Sequence, residues 1–338
     1  MSRVVTFGEL MMRLQPPGYS RFVQTESFEV SFGGAEANVA LGLSCLGDDA
    51  AFVTKLPAHA VGDAAVNSLR RYGVDTHNII RGGGRIGIYF NEKGADLRGG
   101  VCIYDRAASA VSCLSPEELD WDEIMRGAEI FHFTGITPAL GRQMPEICAE
   151  ACRAAHRAGA EVSFDLNYRA KLWTEEEARP VLAELCRHAD MLVANAGQAA
   201  DLLGAGVSGD VCGSDELSRT IAERLAEKYD LKYAALTVRK SISAFDNRIW
   251  GLVFNRKSGE CTFSPRYDVH IVDRVGGGDA FAAGFIHARL AKMPDPDAVR
   301  FAVAAEALKH SVEGDANLVT AAEVASLAFG GRSGEVKR

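Results

Sequence analysis

Short apolar runs alternate with longer amphipathic segments along most of this chain of 338 residues. The apolar runs predict β-strands, and the segments between them have the periodicity of α-helices. Strands that alternate with helices are typical of an α/β fold, here a doubly wound, mostly parallel sheet flanked by helices. The predicted strands span residues 4–7, 51–55, 130–134, 161–165, 191–194 and 234–238, and the predicted helices span 142–158, 175–189, 214–228, 280–290, 296–310 and 321–328.

Two stretches, about 10–32 and 82–112, interrupt this alternation and have no helix of their own. In the second stretch, residues 86–90 and 101–104 have the composition of two short strands around a turn. We expect the two stretches to form a small β lid on a single α/β domain that covers residues 1–338. We also expect the residues from 330 to 338 to be a loose tail.

Composition and charge narrow the classes of function without changing the predicted fold. Hydrophobic residues make up 47% of the chain, which is enough for a sizeable core. The formal net charge is -8, so the chain has no basic field for nucleic acid or for an anionic membrane. The N-terminal residues lack a targeting pattern, and no apolar run approaches the ~18 residues of a membrane helix. We expect a cytoplasmic protein.

The eight cysteines are scattered along the chain with no Cys-x-x-Cys pair. This distribution favours reduced, buried thiols over a disulfide framework. Cys148, Cys152 and His156 share one face of a predicted helix. Three such side chains on a core-facing helix are more often packing residues than zinc ligands, so we predict no metal site there.

The most informative segment opens the predicted helix at 280–290. Gly276, Gly277 and Gly278 follow an apolar strand pattern and directly precede Asp279. Glycines let the backbone approach an anion closely and direct free N–H groups and the helix dipole toward it. The carboxylate of Asp279 would lie beside that anion, where it can take a proton from a nucleophilic hydroxyl. A plainer alternative is a glycine-rich turn in which Asp279 only caps the helix.

A second strand-to-helix junction contains Gly33 and Gly34, and Asn38 lies near the start of the helix that follows. The amide of Asn38 can donate and accept hydrogen bonds, which suits the hydroxyls of a polyol. The run 82–87 matches G-x-G-x-x-G, but it precedes a strand instead of joining a strand to a helix, so we exclude a dinucleotide site. The chain has no Gly-Lys dipeptide, which excludes a Walker A loop.

Together, the two glycine segments resemble the two signatures of the PfkB, or ribokinase-like, carbohydrate kinases, in the same order along the chain. Further similarity at residues 4–9, 61–63, 69–75 and 165–169 extends the resemblance over about 4–324. Within this family the chain is most similar to the 2-keto-3-deoxygluconate (KDG) kinases. The segments that carry this similarity are 32–38, 85–90, 101–107, 133–138, 165–173 and 309–310.

The resemblance implies a ribokinase-like fold with a lid that excludes water from the sugar and often pairs with its copy, hence a homodimer or larger homo-oligomer. It implies that ATP with Mg²⁺ donates its γ-phosphoryl to the 6-hydroxyl of KDG, an acid sugar. Asp279 is then the base, and the amides of Gly276, Gly277 and Gly278 hold the transferred group. The implied sugar-binding residues are Gly33, Gly34, Asn38, Tyr89, Tyr104, Arg106, Asp165, Asn167 and Arg169. The implied nucleotide-binding residues are Asn195, Gln198, Thr237, Arg239, Asp273, Gly276 and Gly278, with Mg²⁺ near Asn195 and Gln198.

The two arginines of the implied sugar site agree with an acid sugar. A 2-keto acid needs a cation for its carboxylate, and the guanidinium of Arg106 or Arg169 can bind a carboxylate through two parallel hydrogen bonds. For either arginine alone, a surface position or a structural ion pair is the commoner role.

Three departures from the family pattern concern mainly the nucleotide. Gln198 stands where the family usually has a glutamate that helps to organise Mg²⁺. Arg274 and Val275 replace a threonine pair before the glycines, and Gly277 replaces an alanine. The run 237–242 replaces Thr-x-Gly-x-x-Gly. Nucleotide binding is therefore the least defined part of the prediction. Two alternatives stay open: a PfkB kinase for another sugar, such as fructose or 5-keto-2-deoxygluconate, and a sugar-acid-binding protein without kinase activity.

Overall fold

The computed structural model describes residues 3–207 and 209–330, and these residues form two β-sheets flanked by helices. The main sheet contains β1 (Arg3–Phe7), β4 (Asp49–Leu56), β5 (Ile79–Arg81), β8 (Ala128–Thr134), β9 (Glu161–Asp165), β10 (Met191–Asn195), β11 (Tyr233–Ser241), β12 (Asp246–Asn255), β13 (Glu260–Phe263) and β14 (Tyr267–His270). The small sheet contains β2 (Met11–Gln15), β3 (Glu29–Gly33), β6 (Gly87–Glu92) and β7 (Val101–Asp105). The α-helices are α1 (Ala35–Leu46), α2 (Ala60–Arg70), α3 (Trp121–Ile124), α4 (Met144–Arg157), α5 (Glu175–Cys186), α6 (Ala196–Leu202), α7 (Asp215–Tyr229), α8 (Gly277–Leu290), α9 (Asp295–Lys309) and α10 (Ala321–Phe329).

The main sheet has the strand order β13-β12-β11-β10-β9-β8-β1-β4-β5, and β14 also pairs with β12. From β5 to β11 neighbouring strands are parallel, whereas β12 is antiparallel to β11, β13 and β14. This arrangement confirms the predicted α/β class with a mostly parallel sheet. The sequence prediction missed β12 and β13, which follow β11 without an intervening helix.

Two hydrophobic cores lie on opposite faces of the main sheet. Val5 of β1 belongs to the core under α4 and α5, and its neighbour Val4 belongs to the core under α1 and α8. In the first core, Phe131, Phe133 and Phe164 stack with ring-centroid distances of 5.6 and 4.8 Å. Close packing on both faces fixes the carboxyl ends of the central strands, on which the functional site is built.

The small sheet has the strand order β3-β2-β6-β7. Alternate residues point to its two faces, and the inner face carries Met11, Arg13, Tyr89 and Tyr104. One row of paired residues crosses all four strands on the outer face and is entirely apolar: Val30, Leu14, Phe90 and Ile103. The end of the range 82–112 packs elsewhere, because Val111 is buried in the core of the main sheet.

Several segments that the sequence analysis discussed have these places in the fold. Cys148 and Cys152 are buried, whereas the side chain of His156 is 45% exposed and its Nε2 lies 3.2 Å from Asp190 Oδ2. The glycine run 82–87 leads into β6. No helix within residues 3–207 and 209–330 is long and apolar enough to cross a membrane. The predicted loose tail lies outside the described residues from position 331 onward.

Candidate active site

A cleft of about 600 Å³ lies between the inner face of the small sheet and the carboxyl ends of β9, β10 and β11. Open α/β sheets bind ligands at this edge, because the loops and helix N-termini that follow the strands meet there. Asp165 ends β9 and Asn195 ends β10, and both line the cleft. The segment 273–279, which we call the glycine turn, brings the N-terminus of α8 into the same space.

The structure explains the presence of glycine differently at each of the three positions of the glycine turn. Gly276 has a φ of 84°, in the left-handed region, and a β-carbon there would overlap the carbonyl oxygen of Asp315. A β-carbon on Gly277 would lie 2.8 Å from a ring carbon of His310. A β-carbon on Gly278 would meet no atom within 4 Å. The fold therefore requires Gly276, and a side chain at Gly277 would require the ring of His310 to shift. Gly278 leaves open space at a helix N-terminus, where an anion can approach the amides.

Asp279 is buried in the first turn of α8 and is within hydrogen-bonding distance of Asn38. Nδ2 of Asn38 donates to Oδ2 of Asp279 over 2.7 Å, so the two predicted glycine segments meet at this pair. Burial raises the pKa of Asp279 to about 7, although the Asn38 hydrogen bond and the charge of Arg169 lower it. A carboxyl group that titrates near neutral pH is suited to act as a general base.

Asp165 is a second buried carboxyl group in the cleft. Burial and the negative charge of Asp279 raise the pKa of Asp165 to about 8, while Arg169 lowers it. The backbone N–H of Asn167 donates to Asp165 Oδ1 over 3.1 Å, and Asn167 itself has a φ of 29°. Positive φ is uncommon for a residue other than glycine and occurs often at functional sites. Because their negative charges repel one another, the two carboxyl groups do not readily ionise together near neutral pH.

The two predicted carboxylate-binding arginines differ in their partners. Nε and Nη2 of Arg106 both donate to Oε2 of Glu9, the former over 2.7 Å, and both side chains are largely buried. Nη1 of Arg169 donates to the carbonyl oxygen of Tyr168 over 3.3 Å, and Arg169 forms no ion pair with any residue of 3–207 and 209–330. Arg169 is thus the more available cation, while Arg106 is held largely by a structural ion pair.

The remaining predicted sugar residues lie mainly on the small-sheet side of the cleft. Gly34, Tyr89 and Tyr104 line it together with Asn167. Gly33 lies behind this surface, where a β-carbon would overlap the carboxylate of Asp315. Gly33 therefore permits close packing under the cleft and does not line it. Burial raises the pKa of Tyr104 to about 12, so its hydroxyl stays a hydrogen-bond donor at neutral pH.

Asn195 lines the nucleotide side of the cleft and also caps a helix. Its Oδ1 accepts hydrogen bonds from the backbone N–H groups of Gly197 at 3.1 Å and Gln198 at 3.3 Å. Asn195 is thus the N-cap of α6, and its side-chain oxygen is already used. Gln198 and Thr237 line the cleft, and Thr237 Oγ1 lies 3.5 Å from the carbonyl oxygen of Ala194.

Two arginines line the same side of the cleft. Burial and the neighbouring charge of Arg239 lower the pKa of Arg274, whose Nη2 donates to the carbonyl oxygen of Ser243 over 3.3 Å. Two cations that repel one another at a cleft wall are stabilised by a polyanion between them. This arrangement fits the triphosphate of a nucleotide.

Asp273, which was predicted to bind the nucleotide, does not line the cleft. Its Oδ2 accepts a hydrogen bond from Arg13 Nη2 at 2.6 Å and from the backbone N–H of Gly314 at 3.1 Å. Its side chain is 2% exposed. Asp273 is therefore part of a buried ion-pair network beneath the glycine turn, and a direct contact with the nucleotide is not consistent with this position.

Four charged residues of the site were missed by the sequence analysis. Glu36 accepts hydrogen bonds from Thr134 Oγ1 at 2.8 Å and Thr137 Oγ1 at 2.5 Å, and burial raises its pKa. Glu306 is buried at the cleft wall, and burial raises its pKa to about 8. The sequence signal for both is a single glutamate among small apolar residues of a helix, since such a charge is otherwise costly to bury. The other two are Arg13 and Asp315.

The chain matches the model of the pfkB family carbohydrate kinases over residues 1–232 and 250–321. It belongs to this family. The match confirms the predicted family and the ribokinase-like fold. The unmatched segment 233–249 contains Arg239, at one of the departures from the family pattern.

Known relatives include enzymes that act on acid sugars. The 2-dehydro-3-deoxygluconokinase of Thermotoga maritima is 47% identical, with a TM-score of 0.93 over 97% of this chain and 98% of that chain. The 2-dehydro-3-deoxygalactonokinase of Haloferax volcanii is 35% identical over 333 residues, 98% of each chain. A putative ribokinase II from E. coli, solved in complex with ATP and Mg²⁺, is 20% identical with a TM-score of 0.78 over 96% of this chain and 98% of that chain, which shows the fold alone.

Proposed function

We propose that this carbohydrate kinase transfers the γ-phosphoryl group of ATP to the 6-hydroxyl of KDG, also called 2-dehydro-3-deoxygluconate, with Asp279 as the base. The observation that carries the proposal is the placement of Asp279. It lies at the open N-terminus of α8, is held by Asn38 and has a pKa near 7. A base beside an anion-binding helix terminus is suited to phosphoryl transfer to a hydroxyl.

The proposed reaction uses few groups of the protein. The carboxylate of Asp279 accepts the proton of the sugar hydroxyl as that oxygen forms a bond to the γ-phosphorus. The bond from this phosphorus to the bridging oxygen breaks, and ADP leaves. The amides at the start of α8, from Gly276 to Gly278, stabilise the charge on the transferred group. Burial raises the pKa of Asp165, and in its protonated form this residue can donate a hydrogen bond to the sugar.

The choice of an acid sugar rests on the cations of the cleft. Arg169 forms no direct ion pair among the described residues, although its charge acts on Asp165 and Asp279, so its guanidinium can donate to the carboxylate of the sugar. Tyr104 lines the same side and offers a phenolic hydroxyl, whereas the hydroxyl of Tyr89 donates to Asp315. A neutral sugar would leave the guanidinium of Arg169 without a sugar carboxylate to bind and would forgo a charge-assisted hydrogen bond. The similarity to the Thermotoga enzyme supports the same substrate.

ATP and Mg²⁺ are proposed as the donor and its metal. Arg239 and Arg274 lie where they can contact the triphosphate. Mg²⁺ binds mainly to phosphate oxygens and water, so the neutral amide of Gln198 fits a contact through water, whereas Asn195 is used as a helix cap. The metal neutralises charge on the phosphates when it is bound. Use of ATP agrees with the predicted cytoplasmic location.

A homodimer through the outer face of the small sheet is part of the proposal. The row Val30, Leu14, Phe90 and Ile103 is apolar, with Val30 59% and Ile103 50% exposed. An apolar sheet face of this kind is typical of a protein interface. Because side chains alternate, pairing of two outer faces would leave the inner faces free to cover the sugar.

A second candidate substrate is the galacto epimer, 2-dehydro-3-deoxygalactonate. The Haloferax relative, which is named for it, matches this chain over 98% of both proteins. The epimers differ in the configuration of one hydroxyl-bearing carbon and share the carboxylate that Arg169 would bind. The geometry of the charged groups therefore does not separate them.

The experiment that tests the proposal is an initial-rate assay of ADP release from MgATP with KDG, its galacto epimer, 5-keto-2-deoxygluconate and fructose. We expect turnover with KDG, and a lower kcat/KM with fructose, which lacks the carboxylate. Preference for fructose would contradict the role of Arg169. Binding of KDG without turnover on any sugar, seen as a higher melting temperature, would favour the alternative of a non-catalytic sugar-acid-binding protein.

A further inference from the structure

A buried ion-pair network lies directly under the glycine turn, and the proposed chemistry does not use it. Its centre is Arg13 of β2, whose side chain is 1% exposed and pairs with Asp273 and Asp315, which are 2% and 4% exposed. Lys309 is also buried, which lowers its pKa although the charges of Asp273 and Asp315 raise it, and its Nζ donates to the carbonyl oxygen of Val312 over 3.0 Å. Charges are rarely buried unless they are paired, and here Arg13 pairs directly with both carboxylates.

The Asp273 end of the network shapes the first half of the glycine turn. Oδ1 of Asp273 accepts a hydrogen bond from the backbone N–H of Val275 at 3.1 Å. Oδ2 accepts from Gly314 N at 3.1 Å and from Arg13 Nη2 at 2.6 Å. One carboxylate thus connects the turn, the loop after α9 and the small sheet.

The Asp315 end supports the second half of the turn. Oδ1 of Asp315 accepts a hydrogen bond from Arg13 Nη1, and Oδ2 accepts one from the hydroxyl of Tyr89. The carbonyl oxygen of the same residue packs against Gly276 so closely that a β-carbon would overlap it. The negative charge of Asp315 also contributes to the raised pKa of Asp279. A shift of Asp315 would therefore move the amides that face the transferred phosphoryl group.

Both partners of Asp315 on the small sheet lie side by side. Arg13 of β2 and Tyr89 of β6 are direct register partners, and Tyr89 also lines the cleft. Gln15 and Asn91, one pair further along the same strands, continue the network through a hydrogen bond of 2.8 Å. The inner face of the small sheet is therefore joined to the glycine turn by specific polar contacts and not only by apolar packing.

We propose that Arg13 is a positioning residue that aligns the glycine turn with the small sheet, so that the turn has its active shape only when the small sheet is docked over the cleft. This inference rests on the proposed kinase function of the turn. A buried ion pair contributes little net stability compared with apolar packing, but its hydrogen bonds fix relative positions. Arg13 would thereby link occupation of the sugar side, through Tyr89, to the readiness of the phosphoryl side.

The test compares Arg13→Lys and Arg13→Met with a matched control, Arg289→Met. Arg289 is also a largely buried arginine, 10% exposed, and it pairs with Asp295 over 2.7 Å at the other end of α8. That end is about 20 Å from the glycine turn along a helix of 14 residues. Two readouts are used for each variant: steady-state kinetics with KDG and MgATP, and hydrogen exchange of the amides in 273–279.

We expect both Arg13 variants to lower kcat about tenfold or more, with KM for KDG within about threefold, because a displaced turn affects the transition state more than sugar binding. Exchange in 273–279 should rise in both. The control, Arg289→Met, should have a lower melting temperature, while its kcat and the hydrogen exchange of its glycine turn stay close to the wild-type values. Arg13→Lys keeps the positive charge but not the planar guanidinium that pairs with both carboxylates. It therefore tests the geometry of the network even where Arg13→Met folds poorly.

Unchanged exchange at the turn in Arg13→Lys would overturn the proposal, as would a loss of kcat no larger than that of Arg289→Met at equal loss of melting temperature. The exchange readout does not depend on the substrate. If the wild-type protein turned over no sugar, the proposed function would fail, while faster exchange in Arg13→Lys would still support the link between sheet and turn.

Discussion

Replacing Gly278 by alanine separates the stability of this protein from its activity. Gly278 lies in the first turn of α8, and a β-carbon there would meet no atom within 4 Å. Its φ lies outside the left-handed region. Alanine is favoured over glycine within a helix by about 0.5–1 kcal/mol. We therefore expect the ligand-free variant to be as stable as wild type or more stable, with a melting temperature higher by at most roughly 1–3 °C.

The same substitution places a methyl group in the space that the transferred phosphoryl group is proposed to occupy. A displacement of about 1 Å at the reacting centre can reduce turnover by ~10²-fold. We expect a fall in kcat of this order with MgATP and KDG. The assay pairs steady-state ADP release with thermal denaturation of the ligand-free protein.

Two other glycine-to-alanine substitutions serve as controls for Gly278→Ala. Gly84→Ala also adds a methyl group in open space, but outside the cleft, and should change neither kcat nor stability appreciably. Gly276→Ala should lower both kcat and stability, because left-handed φ costs alanine about 1–2 kcal/mol and the β-carbon overlaps Asp315. Wild-type kcat in Gly278→Ala would refute the assignment of the phosphoryl group to this turn.

Three further predictions concern single side chains. In folded wild type the pKa of Asp279 is about 7, whereas the ordinary pKa of this group is 3.8. Because the folded protein therefore holds this proton to higher pH than the unfolded chain, the group makes folding less favourable as pH rises from about 4 to 7. Thermal denaturation should therefore show that Asp279→Asn is more stable than wild type at pH 8 and differs little from wild type at pH 4. An equal gain in stability at the two pH values would contradict the raised pKa. In ADP-release assays, Arg169→Gln should raise KM for KDG by about tenfold or more. Arg106→Gln should chiefly lower the melting temperature, since it leaves Glu9 buried without its counter-ion. A larger rise of KM in Arg106→Gln than in Arg169→Gln would contradict the assignment. Ile103→Lys should produce a monomer in size-exclusion chromatography with light scattering, and an unchanged dimer would exclude this face as the interface.

The central fold could be predicted because its strands are short and apolar and are separated by helices. The antiparallel strand β12 could not, in part because Gly251 lies in its middle. A β-carbon there would lie 3.0 Å from Phe281 and Val303, so glycine is required by packing although it weakens the strand pattern. Such a requirement comes from α8 and α9, which are distant in the chain.

The meeting of Asn38 with Asp279 could be predicted from motifs, because each segment has its own local pattern. The roles of Arg13 and Asp315 could not, since the two residues are separated by most of the chain and each is an ordinary charged residue in its own segment. Asn195 shows a limit of a different kind. An asparagine directly before a helix is a common N-cap, so the capping contact of its side-chain oxygen could be predicted locally, whereas the family resemblance indicates only its place near the nucleotide.

The most direct test of the central claim is the turnover number of Asp279→Asn with MgATP and KDG, measured beside wild type at pH 8. The proposed mechanism predicts that the variant loses at least ~10²-fold in kcat, because the general base is absent. KDG should still raise its melting temperature, since the variant keeps the proposed contacts of Arg169 and Tyr104 with the sugar. Wild-type turnover by Asp279→Asn would contradict the assignment of this residue as the base.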